Sequence, residues 1–203
     1  HPIPVVNITA NATTLCSGSS LQLNFTSTVA GTTFNYQVVS TNVVGATNGT
    51  GNALSHVLTN STTSNGEVVY AVTPIANGCE GQTVYYTVNV TPLPTLTMVV
   101  SQNEICNGES VSATFRSNIT GTTFNWQVQA NNVVGAVSGS GSNFTQNLTT
   151  TSLNGEIVKY IVTPVYNGCE GTSQEFEVLI KPRPVVYAPQ NLAVCSGENV
   201  LIN

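Results

Sequence analysis

The stretch GTTFNYQVVSTNVVGATNGTG at residues 31 to 51 returns at 121 to 141 as GTTFNWQVQANNVVGAVSGSG, with 14 of 21 positions identical. The same 90-residue offset relates VTPIANGCEG to VTPVYNGCEG, Cys16 to Cys106, and HPIP to TPLP at residues 1 and 91, with KPRP following at 181. An internal repeat is the strongest constraint a single sequence offers, because each copy must solve the folding problem by the same means. The division it implies is residues 1–90, residues 91–180, and a truncated start of a third copy at 181–203, too short to fold alone. HPIP, TPLP and KPRP then fall where one unit passes into the next, and proline there makes a short, stiff, extended connector. The chain opens on HPIP and reads as an internal segment of a longer protein.

Within each unit apolar residues alternate: Leu21, Leu23 and Phe25; Phe34, Tyr36 and Val38; Leu54 and Leu58; Tyr70 and Val72; Val84, Tyr86, Val88 and Val90. Period two is the signature of strands with one buried face. Asn65-Gly66, Asn77-Gly78 and the glycine-spaced GATNGTG punctuate these runs as turns, and no window of helical period competes. The expected strands in the first unit cover about 3–12, 20–27, 33–40, 53–59, 67–74 and 82–91, and recur 90 residues on. The fold class is therefore all-β, with each unit of about 90 residues a two-layer, immunoglobulin-like sandwich of roughly seven antiparallel strands. A closed barrel is the less favoured arrangement. Phe34 with Tyr36, and Phe124 with Trp126, fall on the core face of the third strand.

Composition narrows the function. Four Lys or Arg stand against nine Glu, with no Asp, for a net charge of −5. Without a basic cluster, neither nucleic acid nor an anionic membrane surface is an expected partner. No apolar run approaches the ~20 residues of a membrane span, so membrane insertion is not expected. Catalysis would need converging carboxylates or a nucleophile beside a base. The one internal histidine, His56, lies between Leu54 and Leu58 and is replaced by Gln146 in the second copy, which favours a partly buried structural role. Glu67 and Glu156 follow an Asn-Gly turn, and Glu80 and Glu170 follow the cysteines; solvation of repeated turns accounts for them. Neighbouring cysteines are too far apart in sequence for a zinc site, and the sparse acids do not suit calcium. No catalytic residue, cofactor or metal is expected. Nine Asn-x-Ser/Thr triplets, at Asn7, Asn11, Asn24, Asn48, Asn60, Asn89, Asn118, Asn143 and Asn147, are close to what 24 asparagines and 47 Ser or Thr give by chance.

CSG or CNG before the second strand, GTTFNW on the third, VVGA with its glycine-rich tail, GEIVKYIVTP, and NGCEG together resemble the PKD-like, immunoglobulin-type repeats of very large cell-surface proteins of Bacteroidetes. These include the gliding-motility adhesins exported by the type IX system. The resemblance covers both full copies and the partial third, and implies an extracellular stalk or fibre segment at the cell surface, with adhesion in some relatives.

The leading functional expectation is a structural and interaction protein, with modules strung into a surface filament. Its partners would be neighbouring modules of the same chain and a surface or polysaccharide ligand that the residues do not identify. The alternative is a carbohydrate-binding or accessory region of a large secreted enzyme, for which Tyr85, Tyr166 and Tyr187 are the aromatics not assigned to core faces. Two cysteines per copy point to disulfides in an oxidising compartment. Pairing within copies, Cys16 with Cys79 and Cys106 with Cys169, is the simple scheme. In an immunoglobulin-like topology, however, the turns carrying Cys16 and Cys79 lie at opposite poles, ~25 Å apart along strands of ~8 residues. A disulfide needs Cα atoms within about 7 Å. End-to-end stacking would instead bring Cys16 to Cys169, a pairing slightly favoured by this geometry. Cys79, Cys106 and Cys195 would then pair with other modules.

Overall fold

The structure is a computed structural model and describes residues 2–184. The strands of the first sandwich are β1 (Asn7–Ala10), β2 (Thr14–Cys16), β3 (Ser19–Thr26), β4 (Thr33–Thr41), β5 (Gly49–Thr50), β6 (Ala53–Leu58), β7 (Gly66–Ala76), β8 (Cys79–Glu80) and β9 (Val84–Thr91). The second has β10 (Thr97–Val100), β11 (Glu104–Cys106), β12 (Ser110–Arg116), β13 (Thr123–Ala130), β14 (Val133–Val134), β15 (Gly139–Ser140), β16 (Asn143–Asn147), β17 (Thr149–Thr150), β18 (Glu156–Tyr166), β19 (Cys169–Glu170) and β20 (Gln174–Lys181). No helix of the described residues is long and apolar enough to cross a membrane.

Each sandwich has one sheet of order β1-β3-β6 (β10-β12-β16) and a second of order β2-β9-β7-β4-β5 (β11-β20-β18-β13-β15). The alternating residues meet between them. Leu21, Leu23 and Phe25 of the first sheet and Phe34, Val68, Tyr70, Val72, Val88 and Val90 of the second form one core. Val111, Phe115, Phe124, Val158, Tyr160, Val162, Val178 and Ile180 form a separate second one. Burying one such Leu, Val or Phe side chain contributes roughly 1.5–3 kcal/mol, so period two fixes register, though the pairing of β4 with β7 shifts between Val38 and Ser40.

Two local departures from the sequence expectation matter for function. The strand expected over 3–12 ends at Ala10, because the Asn11 side chain intercepts the β3 edge: Gln22 N–H donates to its Oδ1 (2.9 Å) and its Nδ2 donates to Ser20 O (3.0 Å). The chain then crosses to the other sheet as β2, which runs parallel to β9 with Cys16 opposite Thr91. The arrangement is therefore not wholly antiparallel. The strand expected over 67–74 is also longer, since β7 runs to Ala76 and turns through Asn77 (φ 52°) and Gly78 (φ 77°) into β8. Two successive positive φ angles make this a type I′ hairpin, the turn that asparagine followed by glycine favours. Asn167 and Gly168 repeat it.

The glycines of VVGA and of the tail after it are fixed by close approach. Gly45 and Gly135 have φ of 104° and 93°, and a Cβ there would collide with the backbone carbonyls of Val57 and Asn147. Gly49 and Gly139 face the rings of Tyr36 and Trp126.

Candidate functional site: the junction between the two sandwiches

NGCEG places a cysteine on the projecting hairpin at one pole. Cys79 pairs with Ala76, and Cys169 pairs with Tyr166, each directly after the I′ turn. The final glycine of the motif is where the incoming connector crosses. A Cβ on Gly81 would overlap the carbonyl oxygen of Pro4, and one on Gly171 that of Pro94. Gly81 N–H and Gly171 N–H also donate to Pro74 O and Pro164 O, both at 2.9 Å, which folds the hairpin base back onto its strand.

CSG and CNG place the other cysteine at the opposite pole. Cys16 ends β2, pinned beside the end of β9, and Cys106 ends β11 beside Lys181 of β20. The residue after the cysteine ties the turn to a neighbouring loop. Ser17 Oγ accepts from Asn60 N–H (2.9 Å) and donates to Asn60 O (3.2 Å). Asn107 does the same with Thr150, at 2.9 and 2.8 Å. Gly18 and Gly108, with φ of 84° and 87°, complete the turns. Both cysteines are thus held on short, braced segments at fixed ends of a rigid body.

Cys16 lies one residue beyond the level of Gly66, which faces Val90 as Leu15 does, and the level of Cys79 is that of Ala76. The 11 residues of β7 lie between them, ~35 Å of strand. Pairing within a sandwich is excluded by that distance, and the bond made is Cys16 to Cys169, with Cα atoms 5.5 Å apart and a sequence separation of 153. Cys16–Cys79 and Cys106–Cys169, the alternatives left open by sequence, are overturned. Cys79 and Cys106 carry free, exposed thiols; Cys195 lies outside the described residues.

The two poles facing each other at this junction are covered, and their counterparts are not. Cys169 and Ile119 of the second sandwich are 3% and 4% exposed, whereas Cys79 is exposed and Val29 half-buried. The hairpin pole that carries the Cys16–Cys169 bond is thus more buried than its counterpart on the first sandwich. Two covalent links cross the junction, the proline connector and the disulfide.

The remaining candidate residues do not converge. His56 is half-buried, with Nδ1 2.7 Å from Tyr70 Oη and Nε2 3.1 Å from Thr47 Oγ1. Tyr36 packs edge-on at 6.2 Å. In the second copy, Tyr160 Oη donates to Gln146 Oε1 (2.8 Å), and Gln146 Nε2 donates to Val137 O (2.7 Å). One network, a buried tyrosine hydroxyl and a bridging partner, is built from two residue types. Burial pushes both tyrosines up to about 12, with the Tyr36 hydroxyl adding to the effect at Tyr70.

Burial also holds His56 below its ordinary value of 6.5. The unfolded chain therefore binds the proton more readily, so the stabilisation is complete above pH 6.5 and is lost as pH falls toward the lowered folded value. The expected result is a first sandwich that melts at lower temperature at pH 5 than at pH 7.5, with the second much less affected. His56→Gln should abolish that acid sensitivity, and a variant that keeps it would refute the role of His56.

Tyr85 is 67% exposed beside Asn35, Gln37 and Thr83, at an open cavity of about 360 Å³. Its counterpart is Glu175, which pairs with Lys159 at 3.1 Å. Tyr166 is half-buried, and Tyr187 lies outside the described residues. Glu67, Glu80 and Glu170 are exposed, and Glu156 is half-buried. An open cavity of about 690 Å³ presents Gln129, Asn131, Asn154, Glu156 and Lys159. Among the described residues there is no group of three His, Cys, Asp or Glu placed to hold a metal ion.

Among solved structures, the fold is similar to the adhesin FdeC of Escherichia coli (13% identity, TM-score 0.45, covering 86% of this chain and 63% of that one). It is also similar to murine CEACAM1b (16%, 0.41, 87% and 100%). A third similarity is to three N-terminal domains of the outer capsid protein Hoc of bacteriophage RB49 (12%, 0.46, 90% and 71%). No curated protein matches in sequence. The profile of the PKD-like domain matches twice, over residues 13–94 and 103–184, each match spanning the braced cysteine turn, the core strands and the hairpin of one sandwich. The chain thus belongs to the PKD-like domain family, in two tandem copies.

Proposed function

We propose that this chain is a structural segment of an extracellular surface filament or adhesin stalk, of the kind found in gliding-motility adhesins, in which sandwiches in line hold a binding end away from the cell. The observation that carries this reading is the Cys16–Cys169 bond. A covalent link between successive modules adds nothing to a catalytic or ligand pocket but stiffens and strengthens a tandem array, and such bonds persist in oxidising compartments outside the cytosol. The low charge fits the same role, since a filament surface of Thr, Ser and Asn stays hydrated without strong fields. Its expected partners are neighbouring modules of the same chain, and beyond them a surface or polysaccharide ligand bound elsewhere on the filament. Immunogold labelling of intact cells with antibody to residues 2–184 tests it. Gold spaced along filaments outside the cell is the expected result, and label that appears only after permeabilisation would overturn the reading.

The second reading, a carbohydrate-binding or accessory module of a secreted enzyme, is favoured by one observation, the exposed ring of Tyr85 among free carboxamides. Such a ring can stack on a sugar face while Asn35 and Gln37 bond its hydroxyls. Retention of the chain on polysaccharide columns, lost in Tyr85→Ala, would support this reading over the stalk.

A further inference from the structure

We propose that Cys79 and Cys106 are the open halves of two more staples of the same kind. Cys79 would bond the CSG- or CNG-type turn of a preceding PKD-like module of the same polypeptide, and Cys106 the NGCEG hairpin of a following one. This rests on the stalk reading only in requiring neighbours in line.

Two independent observations carry it. The first is register. Cys79 occupies on its hairpin the position Cys169 occupies, one residue after the I′ turn and opposite the last residue of the long strand. Cys106 ends a three-residue strand parallel to β20 as Cys16 ends one parallel to β9. Each free thiol therefore sits in a frame that already holds a disulfide elsewhere in this molecule. The second is coverage. At the junction, Cys169 and Ile119 are buried, while Cys79 and Val29 at the equivalent pole of the first sandwich are more exposed. That pole thus presents the same hairpin surface, and the turn that fits it is the one presented by the opposite pole of this same fold. Each bond forms as a cysteine thiolate attacks a disulfide of an oxidising thiol–disulfide carrier. The second cysteine then displaces the carrier, whose two thiols leave with the two electrons.

The consequence is mechanical. With every module stapled to the next, tension passes from a hairpin cysteine along the backbone to the turn cysteine of the following module, then across a disulfide to the hairpin of the module after that. In this chain the first step runs from Cys79 to Cys106, 27 residues apart (106 − 79). Those residues are β8, β9, the proline connector, β10 and β11, nearly all extended backbone already. Fully drawn out they reach about 95 Å at ~3.4 Å per residue with one disulfide. They already span two sandwiches, each about 36 Å long by its 11-residue strand at ~3.3 Å per residue. Two interleaved covalent strands would carry the load with roughly a quarter of their length in reserve, and the residues between the two cysteines of each module would carry none.

The test is a thiol map of the protein shed from the surface of the cells that make it. Free thiols are alkylated without reduction, and disulfide-linked peptides are then identified by mass spectrometry. The expected result is Cys79 and Cys106 unlabelled, each in a peptide linked to its neighbouring module, alongside the Cys16–Cys169 peptide. If Cys16–Cys169 is present but Cys79 and Cys106 carry label, the ladder is refuted and the stalk reading stands. If all four are labelled, the oxidising compartment fails and both fall. Links from Cys79 to Cys106 of a second molecule would also overturn the proposal, replacing a ladder within one chain by a bond between chains.

Discussion

Held by its two ends and stretched without reductant, the chain should yield only about 180 Å of contour, against about 710 Å after reduction, at ~3.5 Å per extended residue. The difference is topological. Force entering at the N-terminus reaches Cys16, crosses to Cys169 and leaves toward the C-terminus, so the 153-residue separation is removed from the load path. That hidden length is about 530 Å at the same rise per residue. Only β1 and β2 of the first sandwich and β19 and β20 of the second lie on the loaded segments. The first core, built largely from β3, β4, β6, β7 and β9, is shielded except where it touches β1 and β2; in the second, β12, β13, β16 and β18 are shielded, while β20, which carries Val178 and Ile180 of that core, lies on the loaded path. Single-molecule force spectroscopy in oxidising and reducing buffer measures this directly, and Cys16→Ser should behave as the reduced protein in either. Release of ~500 Å by the oxidised chain would show that the bond does not form or does not carry load. The expected fourfold gain on reduction belongs to the single staple, and does not depend on what Cys79 and Cys106 do.

The parts of this arrangement that were legible in sequence are those set by short-range chemistry or by the repeat. Leu21, Leu23 and Phe25 announce a strand because one face must leave water, and Asn77-Gly78 announces a turn because few residues accept two positive φ angles in succession. The inter-sandwich bond was legible because two turns at opposite poles of a rigid body cannot meet within it. The crossing of β2 to the second sheet was not. Thr14, Leu15 and Cys16 have the pattern of any edge strand, and what redirects them is the Asn11 side chain bonding to Gln22 N–H, a contact with no sequence period. The role of Gly81 and Gly171 was hidden for a similar reason. Each is required by a connector about 77 residues earlier, at Pro4 and Pro94, and only the recurrence of NGCEG with both its glycines hinted at a constraint. Gln146 and His56 show the opposite case, where a difference between copies concealed one network around a buried tyrosine.

Replacing Trp126 by Ala should destabilise the second sandwich by about 3–5 kcal/mol, the range for deleting a large buried aromatic. The ring is 7% exposed, with centroids 5.9 Å from Phe115 and 5.2 Å from Phe144. Its Nε1–H donates to Val137 O at 2.9 Å, a carbonyl that Gln146 also reaches. The void would be lined by phenyl rings that β-strands hold in place, so little collapse can offset it. Domains of this size are stable by only 5–15 kcal/mol, and the variant's second sandwich should therefore unfold well below the wild-type midpoint while the first, with a separate core, keeps its own. A cost under about 1 kcal/mol would place the ring outside the load of packing it is assigned here. Gly139 supplies the complementary measurement, because a Cβ at this position would stand 2.7 Å from Trp126 Cζ2. Gly139→Ala alone should cost about 1–3 kcal/mol through overpacking. With Trp126→Ala already in place the added methyl should meet space instead of a ring, and much of its cost should vanish. Circular dichroism across the double-mutant cycle reads the coupling, and strictly additive losses would mean that the indole is not what the added methyl meets.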